Sequence, residues 1–254
     1  DGTEGTPEAM TANEVRTIIR NALTIAFRAR GQIRRPLGDH AHVTVSVVDT
    51  NGAIVGLART PDGPVFGTDV SLQKARTAAF FSNRNAGNEL IAGNLGNYVL
   101  QVRSVLGPTA LGDGIAFADR SGGNLSRPYL PDGVTNAPPG PFSKPIAEWS
   151  IFNTGLQLDL VAAHLVAHRS FLLGLSSVDT ASGCTSLPLR PETAKSRIPN
   201  GIQIFPGSVP IYRNNVLVGG LGVSGDGIDQ DDMISFLGLH NAGLELGTGI
   251  GNAP

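Results

Sequence analysis

The sequence predicts an α+β fold: an antiparallel sheet flanked by helices, interrupted by a long loop-rich and helical insertion. Three observations carry that expectation. Two stretches, 43–59 and 203–223, alternate residue type around Asn-containing turns, as strand hairpins do. Apolar residues at helical spacing precede, separate and follow them. Between the two halves, residues 84–200 are dominated by Gly, Pro, Asn and Ser with little sustained period.

The elements follow in order. Residues 1–10 read as a flexible lead. Thr11 and Glu14 form a capping box, in which the hydroxyl accepts a backbone N–H and the carboxylate reaches back. Val15, Ile18, Ile19, Ala22, Leu23 and Ala26 then recur on one helix face, and the helix should stop near Gly31 with Arg28 and Arg30 against its negative end. From His42 the period changes to two, with Val43, Val45 and Val47 alternating with Thr44, Ser46 and Val48. Asn51-Gly52 supplies a hairpin turn, and a second strand returns over 53–59. Thr68 or Asp69 can cap a helix through Ser82 that carries Leu72, Ala75, Ala79 and Phe80 on one side.

Within 84–200 one helix stands out, roughly 154–173, and scattered aromatics argue that the remainder is ordered loop. Regularity returns with strands over 203–212 and 216–223 about an Asn214-Asn215 turn. Asp229, Asp231 and Asp232 then crowd the first turn of a last helix running to about His240, where the dipole favours anions. The whole reads as one domain over 1–254, with 84–200 inserted in it.

Composition excludes several classes. A hydrophobic content of 41% in 254 residues is ample for a packed core. A formal net charge of −2 gives no basic footprint for nucleic acid and no polybasic run for an anionic membrane. No apolar run is long enough to span a bilayer, since the best candidate, 156–166, is broken by Asp159 and His164. Cys184 is the only cysteine, which rules out an intrachain disulfide, and an inert, half-buried thiol is expected. A first residue of Asp1 reads as a mature secreted protein, periplasmic or extracellular, or as a trimmed chain.

Three stretches carry a family resemblance. They are 45–55 (VSVVDTNGAIV), 71–79 (SLQKARTAA), and 205–213 (FPGSVPIYR) running into 219–225 and 229–231. In order, spacing and residue type they resemble the GlcG/HbpS-like family, over roughly residues 10–83 and 200–242. The resemblance implies a profilin-like sheet flanked by helices, a homo-oligomer, and a small-molecule ligand, which in some members is haem. The fold-level motif positions that carry across are Lys74, Arg76 and Thr77, with the turn around Pro206, Gly207 and Val209. The simple family domain passes between the two halves in a few dozen residues, so this chain looks like a long-insertion branch. The family has no short catalytic motif, so catalytic residues are not assigned and enzymatic activity is left open.

Candidate ligands come next. His164 and His168, at i and i+4, share one helix face and could ligate zinc, or one of them haem iron; the alternative is a pair on the polar side of an insertion helix. They lie outside the residues that carry the resemblance. Lys74 or Arg76, beside Thr77, could meet a haem propionate or a small carboxylate, or could be exposed helix surface. His40 and His42 point the same way in an extended chain and with Asp39 could hold a metal; a wet loop end is the alternative, and no metal is assigned. Asp226, Asp229, Asp231 and Asp232 do not fit a calcium loop and read as helix capping. The glycines of 219–225 lack a phosphate-loop pattern and read as places of close backbone approach.

Three functions remain: a small-ligand-binding module with haem as its candidate cofactor, an enzyme or enzyme subunit acting on a small oxygenated metabolite, and a structural oligomerisation domain. The Gly-rich, low-charge insertion with Phe142, Trp149 and Phe152 is expected to form an interface.

Overall fold

The computed structural model describes residues 5–112, 114–151, 154–180, 183–191 and 193–254. In chain order it comprises α1 (Ala12–Arg28), β1 (Val43–Asp49), β2 (Ile54–Arg59), α2 (Gly67–Phe81), α3 (Ala86–Ala92), α4 (Gly96–Leu106), α5 (Asp119–Leu125), α6 (Leu156–Leu172), β3 (Ser208–Arg213), β4 (Val216–Gly225), α7 (Ile228–Leu246) and β5 (Ile250–Gly251). The strands form one antiparallel sheet in the order β2-β1-β4-β3-β5. Helices cover both faces, so the α+β class and the helix-flanked antiparallel sheet expected from the sequence are what is found.

α1 starts at the capping box: the Glu14 N–H donates to Thr11 Oγ1 at 3.3 Å, and the Thr11 N–H donates to Glu14 Oε2 at 2.8 Å. Its apolar stripe of Val15, Ile18, Ala22 and Ala26 packs with Ile234 and Leu239 of α7 over Val43, Val45, Val47, Leu221 and Val223. Alternation sends the other strand residues to the opposite face, where Val48 meets Leu72, Ala75 and Ala79 of α2. Every residue of β1 is buried, because it is central and covered on both sides.

The glycines of β4 explain how close α2 comes. A Cβ at Gly220 would land on the Ala75 carbonyl oxygen, and one at Gly222 on the Ser71 carbonyl oxygen. Helix backbone therefore rests directly on strand backbone, which is the close approach read from the glycine run.

Several sequence expectations need correction. The segment before α1 is tied down where it is described: Arg213 donates to the carbonyls of Glu8 and Ala9, and Met10 packs against the core. α2 begins at Gly67 with no side-chain cap from Thr68 or Asp69. Residues 203–207 are not part of β3, and α7 runs on to Leu246, where Gly247 takes φ +62°. Cys184 is exposed, not half-buried.

The largest difference lies in 84–200. Besides α6, this segment forms α3, α4 and α5, where the sequence suggested ordered loop. They gather round an aromatic core in which Phe80 and Phe81 of α2 meet Tyr98, Phe117 and Phe142. Phe142 is 1% exposed and belongs to that core, not to a surface. Trp149 is half-buried, and Phe152 lies outside the described residues. α6 buries only Leu156 and Leu160 among its described side chains, and Leu165, Val166 and Leu172 face outward. Among the described residues no helix is long and apolar enough to cross a membrane.

Candidate functional site

Lys74, Arg76 and Thr77 share α2 but look in different directions. Lys74 is 1% exposed; its Nζ donates to Asp231 Oδ2 and to the Val223 carbonyl, each at 2.9 Å. The ammonium is thus committed to an internal ion pair and is not presented to a ligand carboxylate. This corrects the capping role read for Asp231, which is a core residue. Burial pushes its carboxyl up to about 6 against the pull of Lys74. Asp119 of α5 lies in the same seam with both carboxylate oxygens unpartnered, and burial drives it well above the ordinary aspartate range, Lys74 opposing in part. Ser208 Oγ accepts the Asp119 backbone N–H at 3.3 Å, so the seam joins α5 to β3.

Arg76 ties the first hairpin to the end of the insertion. Its Nε donates to the Gly52 carbonyl at 2.8 Å and its Nη1 to Asn200 Oδ1 at 2.9 Å. Burial draws its pKa below the usual arginine value. Arg76 also lines a pocket of about 320 Å³ with Asn51, Thr193, Lys195 and Ser196. Thr77 is buried; its hydroxyl donates to the Gln73 carbonyl at 2.7 Å and accepts the Gln203 N–H at 2.9 Å, which steers the chain toward β3.

The two histidines of α6 are held separately. His164 Nδ1 lies 3.1 Å from the Gly183 carbonyl, and His168 Nδ1 lies 2.8 Å from Asp179 Oδ1. The hydrogen bond from His168 holds the Asp179 carboxyl below its ordinary value. Neither contact involves Lys74, Arg76 or Thr77. Asp226 is likewise no calcium ligand in a loop: it accepts two hydrogen bonds from Arg34 at 2.8 Å and the His42 N–H at 2.9 Å.

A groove that the sequence reading missed runs between α1 and β2. It encloses about 430 Å³, with Ile19, Leu23, Phe27 and Leu57 as its apolar lining and Arg16 and Arg20 among its walls. Arg20 pairs with the exposed Glu245, so its guanidinium is held at the surface. A local signal exists: Arg16, Ile19, Arg20 and Leu23 recur at helical spacing, with cations along the edge of the apolar stripe. What no local pattern shows is that β2 is an edge strand leaving this side open.

The fold is a helix-flanked antiparallel sheet carrying an apolar, arginine-edged groove and a smaller pocket lined in part by Arg76 and Lys195. The model of the family described as haem degrading protein HbpS-like matches residues 163–239, from within α6 to within α7. The chain resembles that family, as the three sequence stretches indicated. The match differs in extent: it includes His164 and His168, which the sequence reading placed outside the resemblance, and it does not include Lys74, Arg76 and Thr77. No curated protein matches the chain. Solved structures similar to it include a PduOC:haem complex, at 16% identity with 97% of this chain and 99% of that chain covered and a TM-score of 0.42. Klebsiella pneumoniae protein ORFY, of family DUF336, has 16% identity, coverage of 96% of each chain and a TM-score of 0.43. A double mutant of Streptomyces reticuli HbpS has 15% identity, coverage of 94% and 90%, and a TM-score of 0.38.

Proposed function

We propose that this protein is a small-ligand-binding module whose ligand is flat, apolar and carboxylate-bearing, with haem as the candidate. The observation that carries the reading is the α1–β2 groove, which sets aliphatic and aromatic side chains beside two surface arginines. A ligand of this kind would place its ring against Leu23, Phe27 and Leu57 and its carboxylates toward Arg16 and Arg20, where charge-assisted hydrogen bonds are strong. The groove volume lies in the ordinary range for small-molecule sites. The family description, haem degrading protein HbpS-like, supports the same ligand.

The test is a haemin titration read by the Soret band. Saturable binding with one site per chain is expected, weakened about tenfold or more when Arg16 and Arg20 are both replaced by Glu. Unsaturable binding, or binding indifferent to that double change, would exclude the groove. A His164→Ala, His168→Ala variant examines an axial ligand on α6: an altered Soret position would place the iron there.

A smaller carboxylate has its own candidate place, because Arg76 and Lys195 line the 320 Å³ pocket together with two hydroxyl residues. Lys195→Ala leaves the Arg76 contacts intact and should abolish retention of a small dicarboxylate if that pocket is used. The exposed leucines of α6 support a homo-oligomer, since a patch of this kind is commonly covered by a partner. Sedimentation at tens of micromolar would show a monomer if that is wrong.

A further inference from the structure

We propose that Asp39, His40 and His42 form a binding site for a divalent late first-row transition metal, with zinc as its simplest probe. Among the described residues they are the one group of three potential ligands that converges, their ligand atoms all lying within 4.8 Å of one another. The segment is held in place before any metal arrives. The Ala41 N–H donates to the Ala29 carbonyl and the Gly31 N–H to the Asp39 carbonyl, each at 2.8 Å, pinning the stretch to the end of α1.

The hydrogen bonds then decide which atoms are free. His42 Nδ1 lies 2.6 Å from the Pro61 carbonyl oxygen, and His40 Nδ1 lies 3.0 Å from the Ala41 carbonyl oxygen. A carbonyl can only accept, so each Nδ1 carries its hydrogen and each neutral ring keeps its lone pair on Nε2. A carbonyl behind the imidazole is the usual outer partner of a metal-bound histidine. Asp39 uses Oδ1 to accept the His40 N–H at 2.9 Å, which leaves Oδ2 free.

The second observation is what those free atoms face. His42 is 8% exposed, and its Nε2 is buried with no hydrogen-bond partner. It lies 3.4 Å from Asp39 Oδ2. A buried lone pair facing a carboxylate oxygen at this distance is unfavourable, and a cation between them removes the conflict. Two imidazole nitrogens and one carboxylate oxygen suit zinc, ferrous iron or cobalt, whereas magnesium and calcium take oxygen ligands. Three protein ligands also leave a coordination position open for water or substrate. The rings stack at 4.3 Å and 16°, so their lone pairs lie in two nearly parallel planes that do not meet at one point. Convergence on a metal about 2.0–2.2 Å from each ligand atom therefore requires the stack to open. His40 is the ring that turns, being partly exposed and touching the exposed Phe27, while His42 stays seated.

The competing occupant of the same gap is a proton on His42, which would make an imidazolium–carboxylate pair. Calorimetric titration of the chelator-stripped full chain with zinc separates the two. One equivalent of zinc should bind, and magnesium should not compete. Changes in the outer shell alone commonly cost about 10–100-fold, so Asp39→Asn and His40→Ala, at partly exposed positions, should each weaken zinc by at least that much. His164→Ala, His168→Ala should leave it unchanged. Cobalt bound in place of zinc should give visible absorption that His40→Ala removes. Failure to bind zinc, or zinc binding indifferent to Asp39→Asn and His40→Ala, overturns the proposal and leaves the proton in the gap. Haemin binding in the Arg16–Arg20 groove is read by the Soret band and stands or falls separately.

Discussion

The two larger hydrophobic cores among the described residues are made of different materials. Beneath α1 and α7 the sheet presents Val43, Val45, Val47, Leu221 and Val223 to Ile18, Ala22, Ile234 and Leu239, with no aromatic ring among the buried members. The core of the 84–200 segment centres instead on Phe80, Phe81, Tyr98, Phe117 and Phe142, with ring centroids of the phenylalanines 5.0–6.0 Å apart. Flat layers approach closely and are filled by small aliphatic side chains in repeating rows. Short helices and loops leave uneven gaps, and large rings fill these with few residues.

Truncating the aromatic core should have the largest effect. Phe142→Ala is expected to cost about 3–5 kcal/mol. Because Phe80 and Phe81 belong to α2, the loss should appear in one shared unfolding transition. Separate melting of far-UV and aromatic signals would instead show two independently folding regions.

The opposite face of the sheet, where α2 rests on β4, is sensitive to added volume. Gly222→Ala drives a methyl into the Ser71 carbonyl oxygen and should cost about 2–3 kcal/mol in urea unfolding. A loss under about 0.5 kcal/mol would mean that α2 can lift away from the strand.

Electrostatics should divide the regions by sign. Glu14, held by Arg213 at 2.8 and 2.9 Å, has its carboxyl lowered to about 2, mainly by that arginine, with burial opposing. A lowered carboxyl stabilises fully above its unfolded value near 4.5 and loses that contribution as pH falls toward 2. Glu14→Gln should cost about 1.5–3 kcal/mol at neutral pH and flatten the acid limb of the stability curve. Asp119 behaves in the opposite way. The fold keeps its proton after the unfolded chain has released it, so its contribution falls as pH rises above the ordinary aspartate range. Asp119→Asn should therefore raise stability at neutral pH by about 1 kcal/mol, and a loss would show that a charged carboxylate is needed there.

The smallest effect on stability belongs to the outer face of α6. Leu172→Glu should change unfolding by less than about 0.5 kcal/mol, yet lower any self-association seen by sedimentation. An equal drop in stability at all protein concentrations would mean that this face is already covered within one chain.

This contrast in materials also explains what the sequence made legible. α1, both hairpins, α2 and α7 announce themselves because each layer repeats a period, and because Thr11, Gly52 and Asn214 supply local capping and turn chemistry. α4 hides behind Val99, Val102 and Val105, whose β-branches favour strands, and α5 behind Gly122, Gly123 and Asn124, which favour neither. Packing into the shared aromatic core rewards those helices, and no window of sequence contains that core. The sequence predicts α6 to within two residues at its start and one at its end, but no local pattern marks its outward apolar face. Among the candidate site residues, Lys74 could not be read as internal, because its partner Asp231 is 157 positions away. His40 and His42 were readable as a pair because a strand entry puts i and i+2 on one side.

The absence of side chains where β4 meets α2 has a mechanical meaning. A layer of side chains can absorb displacement by changing rotamers, but the Gly220 and Gly222 contacts leave nothing between strand and helix that can flex. α2 and the sheet must then move as one rigid plate. Phe80 and Phe81 stand on the last turn of α2, so the aromatic core is built directly onto that plate.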